Sequence, residues 1–337
     1  MDVEHSSPGD DYKLSNNPER FQILSLDGGG IRGLFSAAVL EALEDDLSIK
    51  IEEHFDLIAG TSTGGIIALG LAAGLRPSRI VEFYVEYGPL IFDNAGYKKH
   101  WRFLRRCFTS SYSAVPLETA LREVFGERTL ADCVKPVVIP AYNLDTSDVY
   151  IFKTPHHPRL KRDWKVPIWQ VARSTSAAPT FFPVSTHVGG VRLADGGLWA
   201  NNPILVAIAE AKSMLHVPLE AMQILSLGTT TSLTKRATAL DRGGLFAWAK
   251  PSVEVLIDIQ EKSAHTQALH LLGKDNICRI NPVTPSNVFS LDKVDIRGLR
   301  AWAAERSRHL TPEFERIFKT HKAKPYSSLY QNKGVQP

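Results

Sequence analysis

A serine stands between glycines at residues 60–65, in the run Gly-Thr-Ser-Thr-Gly-Gly, with an apolar segment on either side. The spacing fits G-x-S-x-G, in which a sharp turn between a strand and a helix lifts a serine hydroxyl out of the edge of a sheet. Ser62 would then lie at a helix N-terminus, where the helix dipole favours nearby negative charge. Short glycine-serine turns are also common without any chemistry. The pattern alone therefore fits both a plain turn and a nucleophile.

A serine nucleophile needs donors for the oxyanion of its tetrahedral intermediate, and a glycine-rich loop is a candidate source. Residues 27–33 read Asp-Gly-Gly-Gly-Ile-Arg-Gly, and consecutive glycines let backbone N–H groups point together into a concave site. Residues 28–33 also match the dinucleotide-binding pattern G-x-G-x-x-G. That alternative is weaker, because no acidic residue clearly ends a second strand to bind the ribose, and Asp45 and Asp46 fall at a predicted helix end.

An aspartate that could serve as the base follows in Ala194-Asp195-Gly196-Gly197. A strand is predicted to end at Asp195, so its carboxylate can face the same cleft as the serine. Asp-Gly pairs also form ordinary turns in which the aspartate bonds its own backbone. The order along the chain is therefore glycine loop, serine, aspartate.

A histidine base would give a Ser-Asp-His triad instead, and five histidines follow Asp195. They are His216, His265, His270, His309 and His321. No motif singles one out, and His265 and His270 fall in a predicted amphipathic helix, where a surface or core role is more common. A dyad predicts that alanine at His265 or His270 keeps activity and that Asp195→Ala loses it, and the reverse result would reject the dyad.

The motifs DGGGIRG, GTSTGG and DGG occur in this order, each at a predicted strand end, and resemble those of the patatin-like phospholipases. SAAPTFFP at residues 176–183 is similar to the segment that precedes the catalytic aspartate of that family. The resemblance covers roughly residues 21–230 and is less diagnostic from Thr231 onward. It implies an α/β fold related to the α/β hydrolases, with a mostly parallel central sheet sandwiched by helices.

The same resemblance implies hydrolysis of membrane phospholipid acyl esters through a Ser–Asp dyad and an acyl-serine intermediate, without a metal or other cofactor. Carried over by motif, Ser62 is the nucleophile and Asp195 is its base. The implied oxyanion site comprises Gly28, Gly29, Gly30 and Arg32. The alternative from another class is a catalytically silent lipid- or nucleotide-binding module on the same fold. Labelling of Ser62 by a fluorophosphonate distinguishes the two.

SLDGGGIRGLFSAAVLEALE and the helical C-terminal part are similar to the phospholipase effectors of cyclic-oligonucleotide-based antiphage signalling. In that group a cyclic dinucleotide such as cyclic GMP-AMP switches on membrane degradation. The resemblance implies a lipase that is nearly inactive until a cyclic dinucleotide is added. No motif identifies a nucleotide pocket, and a homodimer is an open alternative to a monomer.

Strands and helices alternate along the chain, which predicts the parallel sheet that places these motifs at strand ends. Strands are expected at FQILSL, residues 54–59, KPVVIPAYN, DVYIFKT, VRLAD and MQILSL. Helices are expected at IRGLFSAAVLEALEDDL, residues 65–73, PSRIVEFYVEYGPLIF, VPIWQVARSTSAA, ILVAIAEAKSML and SVEVLIDIQEKSAHTQALHLLG. We expect a single domain over residues 21–320, between an N-terminal tail of residues 1–20 and a C-terminal tail of residues 321–337.

The composition is that of a globular protein, since 44% of the 337 residues are hydrophobic and 22% are charged. A net charge of +3 is too small to predict a nucleic-acid polymer as partner. Three widely spaced cysteines form no C-x-x-C pair, which indicates buried or incidental thiols in a reducing compartment. No signal-peptide pattern is visible, and the longest apolar stretch is about half a membrane span. We expect a cytoplasmic protein that acts peripherally on the inner face of the membrane.

Two segments could contact a membrane. Residues 97–108 are dense in basic and aromatic side chains, which suit an anionic lipid surface, a small anionic ligand or a nucleic acid. An ordinary solvated helix explains that composition equally well. Residues 243–251 form an apolar run after two glycines and could be an interfacial lid or a plain packed loop.

Overall fold

A computed structural model describes residues 19–92, 110–232, 241, 251–284 and 295–330 of the chain. The basic and aromatic segment 97–108 lies outside these residues. So do residues 243–250, which are the whole of the candidate lid or packed loop apart from Pro251.

The described strands and helices follow one another in the alternation that the apolar pattern predicts. The strands are β1 (Phe21–Leu26), β2 (Leu57–Gly60), β3 (Val137–Asn143), β4 (Asp148–Lys153), β5 (Leu193–Asp195), β6 (Met222–Leu227), β7 (Thr231–Ser232), β8 (Ile277–Ile280) and β9 (Val283–Thr284). The α-helices are α1 (Gly33–Leu47), α2 (Thr63–Ala72), α3 (Pro77–Ile91), α4 (Val115–Phe125), α5 (Ile168–Thr175), α6 (Gly197–Ala200), α7 (Ile204–Ser213), α8 (Pro251–Leu272) and α9 (Ile296–Ile317).

The central sheet of the described residues has the strand order β4-β3-β2-β1-β6-β8, and β5 pairs with the second half of β3. Strands β1, β2, β3, β6 and β8 run parallel, whereas β4 and β5 are antiparallel to β3. The prediction of a mostly parallel sheet sandwiched by helices is confirmed. Strands β4 and β5 are the exceptions to the parallel arrangement.

The parallel strands end at the same level, because Leu26 of β1 is paired with Gly60 of β2 and with Leu227 of β6. Leu227 is in turn paired with Ile280 at the end of β8. Loops that leave parallel strands at one level meet at one edge of the sheet, which is where α/β proteins place their sites. The glycine loop and the serine turn therefore leave the sheet side by side.

Strand β1 is buried on both faces, which explains its unbroken apolar run. Leu24 and Leu26 join a core that includes residues of α1, α2 and α9. Ile23 points the other way, into a second core with residues of α7 and α8. The two cores hold the middle of the sheet, and with it the start of both motif loops, in a fixed position.

Element boundaries differ from the predictions at some points. Strand β2 starts at Leu57, and His54 ends a 3-10 turn over Ile51–His54. Buried His54 faces His321 there, with its Nδ1 2.8 Å from the His321 carbonyl oxygen. A polar ring with a partner outside the sheet explains why the apolar run 54–59 is not a strand throughout. Helix α4 and strand β8 are not among the predicted elements.

Part of the predicted C-terminal tail, residues 321–330, lies against the body of the protein. The Ala323 amide donates to the Glu53 carbonyl (2.8 Å), and the Tyr330 hydroxyl donates to the Pro158 carbonyl (2.8 Å). The Tyr330 ring also stacks on Trp164 at 5.9 Å between ring centroids. These contacts join the last described residues to loops that are distant in sequence.

In the described part of the chain, no helix combines the length and the apolar character that crossing a bilayer requires.

Candidate active site

Ser62 occupies the turn between β2 and α2 in a backbone conformation that is rare outside glycine. Its φ is 54° and its ψ is −121°, the strained geometry expected of a nucleophile elbow. The Ser62 amide donates to the Thr175 hydroxyl (3.0 Å), which itself donates to the Pro140 carbonyl (2.6 Å). The end of α5 and strand β3 therefore brace the strained turn from one side.

The glycines on either side of Ser62 are required by close packing. A Cβ atom on Gly60 would lie 2.2 Å from the Gly64 carbonyl oxygen, and one on Gly64 would lie 2.3 Å from the Leu26 carbonyl oxygen. The N-terminus of α2 thus packs directly on the end of β1. This contact sets the serine beside the glycine loop that leaves β1.

The structure brings Ser62 and Asp195 together, although 133 residues separate them in the chain. The Ser62 hydroxyl donates to Asp195 Oδ2 at 2.7 Å. The other carboxylate oxygen, Oδ1, accepts from the Gly197 amide at 2.7 Å. Strand β5 fixes the aspartate because Asp195 is paired with Ala141 of β3. Both carboxylate oxygens are therefore oriented, one of them toward the serine.

Burial changes the acidity of this carboxyl group. Asp195 is 4% exposed, and burial raises its pKa to about 6, against the opposing effect of the hydrogen bonds from Ser62 and Gly197. The group is still mostly ionised at neutral pH and is a stronger base than an ordinary aspartate. A carboxylate of this kind can accept a proton from the hydroxyl that it contacts.

The glycine loop lies directly against the serine. A Cβ atom on Gly28 would be 3.3 Å from Ser62 Cβ, but the Gly28 amide already donates to the Asn201 carbonyl at 3.0 Å. Gly30 has a φ of 58°, and among the described residues no acceptor meets the amides of Gly29 and Gly30. Of the three predicted glycine donors, Gly29 and Gly30 are thus the two whose amides have no acceptor among the described residues.

Arg32, the fourth residue of the predicted oxyanion site, braces the loop through its side chain. Its Nη1 donates to the Thr230 carbonyl at 2.8 Å, and its Nε donates to the Gly29 carbonyl at 3.3 Å. The Thr229 hydroxyl donates to the Gly28 carbonyl at 3.0 Å. Arg32 and Thr229 thus connect the glycine loop to the loop that follows β6.

Among the described residues, no histidine hydrogen-bonds to Ser62 or Asp195. His265 is half-buried on α8, where burial lowers its pKa, and His270 is exposed in the last turn of the same helix. The other three histidines after Asp195 have neighbours elsewhere, namely His157 for His216, Glu305 for His309 and Asp56 for His321. Among the described residues, the Ser62 hydroxyl therefore contacts a carboxylate and not an imidazole.

The two described cysteines are not placed to act as nucleophiles. Cys133 and Cys278 are buried and unpaired, and burial raises the pKa of each thiol to about 12, so neither is an available nucleophile. The described residues also contain no group of three or more His, Cys, Asp or Glu side chains that could hold a metal ion.

Several residues of the site lie outside the motifs. The Thr63 side chain contacts the Tyr84 hydroxyl at 2.5 Å, which fixes the residue after the serine. Thr175 directly precedes SAAPTFFP, and Asn201 lies in the run ANNP after DGG. Their closeness to these motifs could have identified both residues from the sequence. No sequence motif lies near Tyr84 or near Arg279, which contacts Asp27. Their positions in the site depend on which helix and strand pack beside the loops.

Comparison with known proteins gives a consistent result. Residues 24–208 match the family described as "Patatin-like phospholipase". The chain is 35% identical over 295 residues to a "cGAMP-activated phospholipase" of Pseudomonas aeruginosa, covering 86% of this chain and 87% of that one. It is 35% identical over 262 residues to a "cGAMP-activated phospholipase" of Vibrio cholerae, covering 70% and 74%.

Among solved structures, VipD from Legionella pneumophila is similar with a TM-score of 0.50 and 15% sequence identity. The match covers 92% of this chain and 68% of VipD. At that identity the likeness shows a shared fold and nothing further.

Proposed function

The chain belongs to the patatin-like phospholipase family, and we propose that Ser62 and Asp195 are the catalytic dyad with which it hydrolyses phospholipid acyl esters. The observation that carries this proposal is the 2.7 Å hydrogen bond from the Ser62 hydroxyl to Asp195 Oδ2. The strained turn at Ser62 and the unused amides of Gly29 and Gly30 support it, because acyl transfer needs an exposed nucleophile and oxyanion donors.

In the first half of the reaction, Ser62 Oγ attacks the carbonyl carbon of the ester while Asp195 accepts its proton. The carbonyl π electrons move to oxygen, and the Gly29 and Gly30 amides donate to this oxyanion. When the oxyanion collapses, the bond to the glycerol oxygen breaks and Asp195 returns the proton to that oxygen. The products are a lysophospholipid and an acyl-Ser62 ester.

In the second half, water attacks the acyl-serine carbonyl and Asp195 accepts a proton from it. Collapse of the second tetrahedral intermediate releases the fatty acid, and Ser62 recovers its proton. A base with a pKa of about 6 suits both halves, since it is ionised before each attack and gives up its proton readily afterwards. No histidine is needed to relay protons in this scheme.

We further propose that the substrate is membrane phospholipid at the inner face of the membrane and that cyclic GMP-AMP switches the activity on in antiphage defence. Support for the switch comes from relatives named "cGAMP-activated phospholipase", one of which is 35% identical over 86% of this chain. We assign the activity to residues 21–320 as one domain.

Release of fatty acid from phospholipid vesicles tests the proposal, with the wild type, Ser62→Ala and Asp195→Asn each assayed with and without cyclic GMP-AMP. We expect hydrolysis by the wild type only when cyclic GMP-AMP is present, and a loss of at least about 10³-fold in both variants. Full activity without the nucleotide would reject the switch. Full activity of Asp195→Asn would reject the dyad.

Labelling with a fluorophosphonate separates this enzyme from a catalytically silent module. We expect one adduct per chain in the activated wild type, located at Ser62, and none in Ser62→Ala. His265→Ala and His270→Ala serve as matched controls, because they change polar side chains of α8 that do not contact the dyad. Inactivity of either histidine variant would favour a triad.

A further inference from the structure

Asp27 opens the glycine loop but has no part in the steps above, although its side chain is buried. It is 2% exposed, and its carboxylate faces the guanidinium of Arg279 on β8. Arg279 Nη1 donates to Asp27 Oδ1 at 3.0 Å, and Nη2 donates to Oδ2 at 2.5 Å. Two parallel bonds fix the orientation of the carboxylate as well as its distance.

The arginine reaches this carboxylate across an intervening strand. Arg279 is paired with Ser226 of β6, and Ser226 is paired with Ser25 of β1. On the way Arg279 Nη1 also donates to the Ser226 hydroxyl at 2.8 Å. The side chain thus joins the ends of three neighbouring strands at the edge where the active site lies.

The guanidinium is held from the opposite side as well. Glu261 of α8 accepts from Arg279 Nη2 at 3.0 Å and from the Asn281 side-chain amide at 2.5 Å. Arg279 is therefore between two carboxylates, with its own side chain 13% exposed. Without it, Asp27 and Glu261 would repel one another in a poorly solvated space.

This arrangement controls the position of the amides that the reaction uses. Asp27 is bonded covalently to Gly28, whose amide and carbonyl are already engaged by Asn201 and Thr229. With Asp27 and Gly28 fixed, the directions of the Gly29 and Gly30 amides beyond them are constrained. Oxyanion donors act only within a few tenths of an ångström of the right place, so a change at Asp27 is felt at the oxyanion.

We propose that Arg279 is a positioning residue for the reaction: through its paired bonds to Asp27 it holds the Gly28–Gly30 loop where its amides meet the oxyanion. This inference rests on the proposed function, because it assumes that the loop supplies the oxyanion donors. Arg279 touches no reacting atom and acts through Asp27.

Two variants test it under activating conditions, with p-nitrophenyl butyrate and phospholipid vesicles as substrates. Arg279→Lys keeps the positive charge between the carboxylates but loses the paired bonds, and Arg279→Gln loses both. We expect kcat to fall about 10-fold in Arg279→Lys and about 10²-fold in Arg279→Gln, with KM within about twofold of the wild type. Circular dichroism gives the folded fraction of each variant. If Arg279→Gln does not fold, the kinetics of Arg279→Lys alone decide the test.

A second readout separates positioning from simple loss of stability. A fluoromethyl ketone analogue of the acyl chain forms an adduct with Ser62 that carries the oxyanion. We expect its affinity to fall by the same factor as kcat/KM, because both depend on the loop amides. Arg76→Gln is the matched control, since it breaks another arginine–carboxylate pair, with buried Glu44 (2.9 Å), away from the loop. It should alter neither kcat nor analogue affinity.

The outcomes are distinct. An active wild type with unchanged kcat in folded Arg279→Lys and Arg279→Gln overturns this inference and leaves the proposed function intact. Reduced kcat with unchanged analogue affinity also overturns it, because the loop amides would then be in place. A wild type that hydrolyses neither substrate overturns the proposed function, and this inference with it.

Discussion

At the scale of single residues, the site depends on a carboxyl group that is buried without a cation. Asp195 has two hydrogen-bond donors, Ser62 and Gly197, and no positive charge among its described contacts. Desolvation therefore outweighs the hydrogen bonds, and the pKa rises to about 6. The same burial that makes the group a useful base makes its ionised form costly for folding.

The pH dependence of the reaction follows from this ionisation. Asp195 must be deprotonated to accept a proton from Ser62, so we expect kcat/KM to rise with pH through about 6 and then level off. Below that pH the rate should fall tenfold per pH unit. The measurement is the pH profile of p-nitrophenyl butyrate hydrolysis; a profile that is flat between pH 5 and about pH 8 would contradict Asp195 as the base.

Stability should respond to Asp195 in the opposite direction. A folded-state pKa raised from 3.8 to about 6 means that the carboxyl contributes more stability when protonated, and that this contribution is lost as the pH rises through about 6. At neutral pH the loss is on the order of 3 kcal/mol. We expect Asp195→Asn to be inactive but to raise the thermal midpoint by several degrees at pH 7.5, measured by calorimetry, and to raise it little near pH 4. A midpoint lower than that of the wild type at pH 7.5 would contradict this.

At the scale of secondary-structure elements, the site depends on one close contact between a helix and a strand end. The start of α2 packs on the end of β1 with no space for a side chain at Gly64. The apolar runs that flank Ser62 supply the rigid strand and helix, and the glycines let them meet. This contact sets the distance between the nucleophile and the glycine loop.

Gly64→Ala should therefore disrupt the site. The new Cβ atom would lie 2.3 Å from a backbone carbonyl that cannot move without shifting β1. We expect a loss of at least about 3 kcal/mol in the free energy of unfolding, together with loss of activity. Gly70→Ala in the same helix is the control, because the three atoms nearest to its Cβ belong to the side chains of Ile80, at 2.9 Å and 3.1 Å, and Leu75, at 3.8 Å, and not to backbone. Urea unfolding of both variants makes the comparison, and equal losses would contradict the argument.

The sequence predicts elements best where a single periodicity governs the segment. The strands β1 and β6 and the helices α1, α2, α3 and α8 agree with the predictions to within a few residues. Strand β2 is shorter than predicted because the Asp56 carboxylate accepts a hydrogen bond from the Gln22 amide and the His54 ring contacts the His321 carbonyl. No local sequence pattern shows these contacts. Strand β8 is stabilised by pairing with β6, and it is too short to show a clear apolar pattern in the sequence.

At the scale of the whole molecule, the C-terminal residues 321–330 connect loops from different parts of the sheet. His54 is fully buried, and its ring has the His321 carbonyl as a partner. The Leu329 amide also donates to the Pro155 carbonyl at 3.2 Å. Residues predicted to be a loose tail thus complete the packing around two loops.

Truncation measures this contribution. A chain that ends at Thr320 loses the partner of His54 and the backbone bonds from Ala323 and Leu329, at roughly 1 kcal/mol for each bond. We expect a loss of about 3 kcal/mol in stability with the dyad intact, read from thermal unfolding and fluorophosphonate labelling. A chain that ends at Tyr330 is the reference for this comparison, because it keeps all three of these bonds. Unchanged stability on ending at Thr320 would show that residues 321–330 are dispensable.

The sequence predicts only those residues of the candidate site that belong to its motifs. Ser62, Asp195 and the glycine loop lie within short motifs, so the sequence shows their residue types and their order. Two other contacts depend on which segments become neighbours in the fold. The Gly28 amide donates to the Asn201 carbonyl, and the Arg279 guanidinium donates to the Asp27 carboxylate. Such contacts between distant segments arise only from the packing of the sheet.

The long interval between Ser62 and Asp195 also has a consequence during synthesis. The chain leaves the ribosome from its N-terminus, so the nucleophile emerges 133 residues before its base. A nascent or prematurely terminated chain that lacks β5 carries Ser62 without the base that we propose for it. With the proposed dyad, incomplete translation products would lack lipid-hydrolysing activity, which would then be confined to chains that have folded as far as β5.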